Sequence, residues 1–247
     1  MVGKDRHPTT LTRIKGSSQM FQSQAFRPTL LSADPASSPR ISGSLRPKMP
    51  ALALVFTLIA MAAPAQNLPA LHDVTGVAQD DVLNVRTAPS SGAPVIGTLS
   101  PSENGVEIVR TNPAGTWGQL NIEGRQGWAS LAFLARRRGS ALPEAPWLRC
   151  FGTEPFWSLD AAQTGRATFR TPEETLSLRA GTVRPAQGQT RPFALSIEAT
   201  DISATVVVRP GKCSDGMSDN RYSLSAALLF QGSRDDFLAG CCSLETR

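Results

Sequence analysis

The carboxylates of the C-terminal half are the strongest candidates for chemistry in this sequence of 247 residues. Glu154 lies in the segment CFGTEPFWSL (150–159), and Asp215 and Asp219 lie in CSDGMSDNRY (213–222). Two carboxyl groups that flank a glycosidic bond can act as general acid and general base, so Glu154 with Asp215 or Asp219 could form a hydrolase site. The same three side chains could instead bind a small ligand or a cation.

A structural role for these three residues is favoured over both chemical ones. Asp, Ser and Gly commonly build turns through hydrogen bonds from side chain to backbone. We therefore expect Asp215 and Asp219 to hold a turn, with a positive φ at Gly216. We expect Glu154 to be a buried carboxylate that accepts hydrogen bonds from backbone N–H groups of the 213–222 segment. The Asp215–Asp219 spacing lacks the alternating ligands of an EF-hand loop, so no metal is expected.

Other catalytic arrangements are not found downstream of residue 65. The only histidine there is His72, which we place in a flexible approach to the first folded domain. A serine or cysteine nucleophile needs an activating base, and this part of the chain has neither a glycine-rich phosphate loop nor a histidine pair for zinc. We expect a protein that is not an enzyme and needs no cofactor.

An apolar run near the N-terminus indicates export. The run ALALVFTLIAMAA (51–63) is 13 residues long, whereas a membrane-spanning helix needs about 20. Its length is typical of the apolar region of a signal peptide, and Ala-Pro-Ala at 63–65 is a small-residue cleavage pattern. The sequence therefore predicts a signal peptide at 49–65, cleavage between Ala65 and Gln66, a periplasmic or secreted location, and contact with a membrane only during export.

The segment that precedes the apolar run accounts for the basic character of the chain. Residues 1–48 are rich in Ser, Pro, Arg and Thr, a composition that does not bury a core, so we expect them to be disordered or upstream of the true start. Removing residues 1–65 changes the formal net charge from +5 to −1. A nearly neutral mature chain lacks the clustered positive field that binds phosphates, so we expect no nucleic-acid partner.

The four cysteines, Cys150, Cys213, Cys241 and Cys242, all lie in the C-terminal half. An even number of cysteines in an exported chain indicates disulfides. If residues 240–244 form a strand, the side chains of Cys241 and Cys242 point to opposite faces, and each can bridge a different partner. Of the pairings that remain, we favour Cys213–Cys241 with Cys150–Cys242. The alternative, a metal site, lacks the usual spacing and the histidines.

Short β-rich segments separated by Gly, Pro and Asn predict a small antiparallel barrel between residues 72 and 135. The segments are 83–86, 95–99, 106–110, 117–122 and 126–129. Within them, LNVRTAPS (83–90), VIGTL (95–99), VEIV (106–109), WGQLNIEGRQGWAS (117–130) and LAFL (131–134) resemble the bacterial SH3 (SH3b) domain. The resemblance implies a barrel of five to seven strands that binds peptides or peptidoglycan.

The conspicuous residues of this domain are assigned by their place in the strand pattern. Asn84 and Arg86 alternate with two apolar residues and should face outward. Trp117 follows a turn, and a partly exposed aromatic with a polar edge suits a peptide or glycan surface. These three are the candidate ligand contacts of the first domain. Trp128, which follows a glycine, is expected in the barrel core.

After a linker expected at 136–146, residues 147–247 again predict strands. The segments are 156–161, 167–170, 175–179, 193–199, 203–208, 221–230 and 237–242, and 193–199 and 222–230 alternate apolar and polar residues. We predict a second antiparallel β-barrel or sandwich carrying the disulfides, so that the whole protein is all-β. The 150–159 and 213–222 segments resemble an uncharacterised family of exported bacterial proteins with G-[NT]-E-P-F-W and C-S-D-G-M-S-D motifs, near META-type and lipocalin-like β domains. That resemblance implies no reaction.

Together these observations predict an exported, non-enzymatic protein of the cell envelope. Its first domain would bind peptidoglycan or an envelope peptide or protein. In the alternative, the C-terminal barrel is a small-ligand-binding or protein-inhibitor module, and the first domain only tethers it.

Overall fold

The computed structural model describes residues 67–244, so the expected signal peptide and its cleavage site at Ala65 and Gln66 lie outside the described residues. The first domain consists of short strands and one 3-10 helix. They are β1 (Ala70–Val74), β2 (Leu83–Arg86), β3 (Val95–Leu99), β4 (Val106–Ile108), β5 (Arg110–Thr111), β6 (Trp117–Ile122), β7 (Arg125–Ser130), the 3-10 helix (Leu131–Phe133) and β8 (Leu134–Arg136).

These strands form two small antiparallel sheets that pack around one apolar core. The first sheet has the order β4-β1-β8, and the second has the order β3-β2-β7-β6-β5. The core between them contains Val85, Ile108, Leu120 and Ala129. The strand count exceeds the expected five to seven because β1 joins the domain and because the predicted strand at 106–110 is divided at buried Val109.

The expectation of a flexible approach at His72 is wrong. His72 lies at the centre of β1, which pairs with β4 on one side and β8 on the other. Its side chain is buried, and its Nδ1 lies 3.1 Å from the carbonyl oxygen of Ala70, to which it donates. β1 was missed because its sequence, ALHDV, shows no apolar–polar alternation, so nothing marks it as a half-buried strand.

The second domain is a closed barrel of eight strands with one additional short strand. The strands are β9 (Trp147–Thr153), β10 (Phe156–Ala162), β11 (Arg166–Arg170), β12 (Thr175–Ala180), β13 (Arg184–Pro185), β14 (Phe193–Glu198), β15 (Ile202–Cys213), β16 (Tyr222–Gly232) and β17 (Phe237–Ser243). Pairing of β9 with β17 and of β12 with β14 closes the ring, and β13 lies beside β14. Of the two predicted architectures, the barrel is therefore confirmed.

Side chains fill the interior of this barrel. Phe169 and Phe230 contact each other edge-to-face with ring centroids 4.9 Å apart, and both are fully buried. The predicted alternation of 193–199 and 222–230 is confirmed, because Phe193, Leu195 and Ile197 point inward, as do alternate residues of β16. An eight-stranded barrel has an interior just wide enough for side chains to fill it.

Both disulfides form as predicted. Cys150 on β9 is bonded to Cys242, its directly opposite partner on β17, inside the barrel core. Cys213 at the end of β15 is bonded to Cys241. Cys241 and Cys242 serve different partners because neighbouring residues of a strand point to opposite faces.

Part of the expected linker at 136–146 packs into the fold. Its basic residues, 136–138, are exposed, but Ser140, Ala141, Leu142 and Ala145 are buried. The Ser140 hydroxyl accepts from the Leu71 N–H at 3.1 Å, and its one proton lies within reach of the carbonyl oxygens of Arg137 at 2.6 Å and Leu71 at 3.1 Å. Leu71 and Leu142 belong to the apolar cluster of the barrel, so the segment fastens β1 to the second domain.

Two further polar contacts join the domains. The Asn121 side chain donates to the carbonyl oxygen of Arg221 and accepts from its N–H, both at 2.9 Å. The N–H of Asp219 donates to the carbonyl oxygen of Gly124 at 3.1 Å. The 219–221 segment therefore lies against the β6–β7 hairpin. Within residues 67–244, no helix is long and apolar enough to span a membrane.

Candidate ligand-binding face and the cleft beside it

The outer face of the five-stranded sheet carries three of the six candidate ligand contacts. In antiparallel pairs, directly opposite residues share a face. A Cβ at Gly127 would lie 2.4 Å from Cγ1 of buried Val85, so position 127 faces the core and position 128 faces outward. The register pairs Trp128 with Arg86 on β2 and with Gln119 on β6, which places all three on the outer face.

Trp128 is buried, as expected for a core residue, but it lies on the outer face of the five-stranded sheet. Its side chain is buried, with 9% exposure, but it is not part of the domain's apolar cluster. The guanidinium carbon of Arg110 lies 5.0 Å from the centre of the indole ring, within cation–π range. The Nε of Arg110 also donates to Oε1 of Gln119. Gly127 is the signal in the sequence that could have shown which face Trp128 is on. A residue without a side chain fits where this strand faces the crowded core, so its neighbour Trp128 faces outward.

Trp117, Asn84 and Arg86 are placed as predicted, half-buried on strands of the same sheet. Trp117 lies two residues from Gln119 along β6 and so shares its face. Asn84 and Arg86 alternate with buried Leu83 and Val85. Arg86 already has a structural partner, since its Nη1 donates to the carbonyl oxygen of Ala93 at 2.8 Å and holds the β2–β3 loop.

A cleft of about 800 Å³ lies between this face and the barrel. Arg110, Gln119 and Gln126 line it from the first domain, and Arg191, Lys212, Arg221 and Tyr222 line it from the second. Gln119 is 2% exposed, and its Nε2 donates to Oε1 of Gln126 at 2.5 Å. A buried amide network thus holds Arg110 at the edge of the cleft.

The comparison with known families agrees with the strand pattern of the first domain. Residues 81–135 match the bacterial SH3 domain family. The chain contains a bacterial SH3 domain. The match begins after β1, which lies outside the matched residues. No curated protein and no solved structure matches the chain at a significant level.

The carboxylates of the second domain are arranged differently from the prediction. Glu154 is exposed in the turn between β9 and β10, so the expected buried carboxylate is wrong. The contact between the two motifs is made instead by Thr153, whose hydroxyl donates to the carbonyl oxygen of Asp215 at 2.9 Å. Phe151 and Tyr222 also meet edge-to-face, with ring centroids 4.9 Å apart. The acceptor in this contact is therefore a backbone carbonyl and not the Glu154 carboxylate. Nothing in the sequence singled out Thr153 as the donor.

Asp215 holds a turn through its carboxylate. Oδ1 accepts from the N–H groups of Met217 and Ser218 at 3.1 and 3.0 Å, and Oδ2 accepts from the Ser218 hydroxyl at 2.7 Å. Partial burial acts to raise the pKa of Asp215, but these hydrogen bonds outweigh it and hold the pKa below its usual value. Gly216 has φ +74°, as the turn predicts.

Glu154, Asp215 and Asp219 do not form one site. Glu154 and Asp215 line a shared surface depression of about 680 Å³, and Asp219 is not among its lining residues. Asp215 is already occupied by its turn, and Asp219 is exposed. Across residues 67–244, no group of three or more His, Cys, Asp or Glu side chains is placed to hold a metal ion. The outer face of the bacterial SH3 domain is therefore the better candidate site.

Proposed function

We propose that this protein is an exported, non-enzymatic component of the cell envelope whose bacterial SH3 domain binds peptidoglycan or a peptide. The observation that carries the proposal is the family match at 81–135, in a domain whose outer face presents Trp117 and Arg110, the latter stacked on buried Trp128. Aromatic and arginine side chains are enriched among residues that dominate binding energy. The ring of Trp117 is half-buried and more exposed than that of Trp128, so it offers the more accessible apolar contact.

Export is supported by two independent features. The 51–63 run has the length of the apolar region of a signal peptide and is followed by a small-residue cleavage pattern. The two disulfides are of a kind that persists in oxidising compartments such as the periplasm. Mass spectrometry of the periplasmic product tests this part of the proposal, with Gln66 as the expected first residue. A product that retains residues 49–65 would contradict it.

The alternative, in which the barrel holds a small ligand, is not favoured. The barrel interior is occupied by its own side chains, including Phe169, Leu195, Leu228 and Phe230. The first domain thus has a partly exposed outer face, whereas the interior of the second domain is filled.

Co-sedimentation of residues 66–247 with purified peptidoglycan tests the proposal. We expect the wild-type protein to pellet and Trp117→Ala to bind roughly tenfold more weakly, the usual scale for losing an aromatic anchor. The matched control is Trp147→Ala, which removes another exposed tryptophan, 45% exposed, from β9 of the barrel. Wild-type protein that stays in solution would contradict peptidoglycan binding. Equal losses in both variants would contradict the assignment to this face.

A further inference from the structure

We infer that the cleft between the two domains binds a short peptide that carries free carboxylate groups. The inference rests on the proposed function and specifies the chemistry of its ligand. It concerns the cleft of about 800 Å³ lined by Arg110, Arg191, Lys212 and Arg221.

The charged side chains that line the cleft are all positive. Four cationic side chains line it, and no Asp or Glu is among its lining residues. None of the four has a carboxylate within 4 Å among the described residues, whereas Arg137, Arg149, Arg170 and Arg234 are all paired with acids. Residues 66–247 have a formal net charge of −1. The positive cleft is therefore a local arrangement rather than a result of basic composition.

Arg110 is held in place before any ligand arrives. Its guanidinium lies over the Trp128 ring, and its Nε donates to Gln119, which is itself bonded to Gln126. This arrangement leaves the two Nη groups of Arg110 for a ligand. A guanidinium fork matches the planar geometry of a carboxylate, and a side chain that is already ordered loses less entropy on binding.

The remaining walls suit a peptide. The side-chain amide of Gln126 offers a hydrogen-bond donor, and Pro210 and Val109 add apolar surface. The volume lies within the range of about 300–1,000 Å³ typical of small-ligand sites. The cations lie on both walls, one on the first domain and three on the second, so a ligand with two carboxylates can contact both domains. Arg221 is held at its wall by the backbone bonds to Asn121.

Calorimetric titration of residues 66–247 at low ionic strength tests the inference with two matched probes. One is N-acetyl-Ala-Glu-Ala-Ala with a free C-terminal carboxylate, and the other is N-acetyl-Ala-Gln-Ala-Ala amide, which has none. We expect the dicarboxylate peptide to bind at least about tenfold more tightly, since charge-assisted hydrogen bonds exceed neutral ones. High salt should reduce this difference.

Two variants locate the binding. Arg221→Ala keeps the backbone contact to Asn121 and should bind the dicarboxylate peptide several-fold more weakly. Arg110→Lys keeps the charge but loses the guanidinium fork and should also weaken binding. Arg179→Ala is the control, because Arg179 is exposed on β12 of the barrel and does not line the cleft.

The outcomes separate this inference from the proposed function. Equal affinity for the two peptides, or equal losses in Arg221→Ala and Arg179→Ala, would overturn it even if the protein sediments with peptidoglycan. Inorganic phosphate that competes as strongly as the dicarboxylate peptide would show a general anion site and would also overturn it. Preference for the dicarboxylate peptide without sedimentation would support the inference and contradict peptidoglycan binding.

Discussion

The carboxylate of Glu107 accepts a hydrogen bond of 2.7 Å from the hydroxyl of Ser243, although 136 positions separate the two residues. The same carboxylate accepts from the N–H of Leu244 at 2.8 Å. Glu107 lies on β4 of the bacterial SH3 domain, and Ser243 ends β17 of the barrel. Because both residues are buried, this contact fixes one end of the last strand against the first domain.

Glu107→Ala should therefore destabilise the protein. The substitution leaves the hydroxyl of Ser243 and the N–H of Leu244 without their acceptor in a buried position, which costs about 1–3 kcal/mol for such groups. Urea unfolding followed by fluorescence measures the free energy of unfolding. The control is Glu103→Ala, since Glu103 is exposed in the same domain. A similar loss of unfolding free energy in both variants would contradict a stabilising role for the Glu107 contact.

Gly152 should be intolerant of any side chain. A Cβ at this position would lie 2.2 Å from Nε1 of Trp157, its opposite partner on β10, and 2.7 Å from the carbonyl oxygen of Ala239. Trp157 Nε1 donates to that same carbonyl oxygen at 3.2 Å. We expect Gly152→Ala to lower the free energy of unfolding by about 1–3 kcal/mol, the usual cost of overpacking.

Gly211→Ala provides the matched control for Gly152→Ala. Nothing lies within 4 Å of a Cβ built at Gly211, and its φ is not positive. Thermal unfolding of the two variants should give a lowered melting temperature for Gly152→Ala and little change for Gly211→Ala. Unchanged stability of Gly152→Ala would mean that Trp157 can move without cost.

The two disulfides should differ in their contribution to stability. Cys150–Cys242 spans 92 positions and Cys213–Cys241 spans 28. In the loop-entropy account, the longer loop contributes about 1 kcal/mol more. Unfolding of the double variant Cys150→Ala/Cys242→Ala should therefore occur at lower urea than that of Cys213→Ala/Cys241→Ala. The reverse order would contradict the entropic account for this barrel.

Much of this fold could be predicted from strand periodicity, and the exceptions have physical causes. Segments with clear alternation, such as 193–199 and 222–230, were predicted because one face is buried and the other is solvated. β1 was missed because ALHDV has no apolar–polar alternation. β9 was missed because cysteine and glycine residues in WLRCFGT obscure its alternation. The opposite faces of Cys241 and Cys242 argued against a bond between these two residues, and of the two pairings that remained the favoured one is observed.

The candidate site was predicted less well because it depends on register and on contacts between domains. Asn84 and Arg86 were predicted to face outward from alternation, and Trp117 was predicted to be partly exposed from the turn that precedes it. The position of Trp128 required the register with Arg86, and the cleft required the barrel to be set beside Arg110. The sequence of a short polar motif also does not show which side chain makes a given hydrogen bond. The bond between the two motifs was expected from Glu154, and it is made by Thr153.

His72 should make stability depend on pH near neutrality. Burial lowers the pKa of His72 below its ordinary value of 6.5, with Arg136 acting in the same direction, while the bond to Ala70 and the charge of Asp73 oppose the shift. The unfolded chain therefore binds a proton at His72 more readily than the folded chain does. The free energy of unfolding is therefore highest at a pH above the pKa that His72 has in the unfolded chain, and it decreases as the pH drops below that pKa.

Urea unfolding at pH 7.5, 6.5 and 5.5 measures this dependence, and His72→Asn is the informative variant. Its side-chain amide can still donate near the position of Nδ1 but does not titrate in this range. We expect the wild-type midpoint to fall with pH and the variant midpoint to change less, whatever its absolute stability. Asp73 does not titrate between pH 7.5 and 5.5. Burial acts to raise its pKa, but Arg137 and the N–H of Gly105 lower it below 3.8, so its contribution is lost only in acid. Equal slopes for wild type and His72→Asn between pH 7.5 and 5.5 would exclude His72 as the cause.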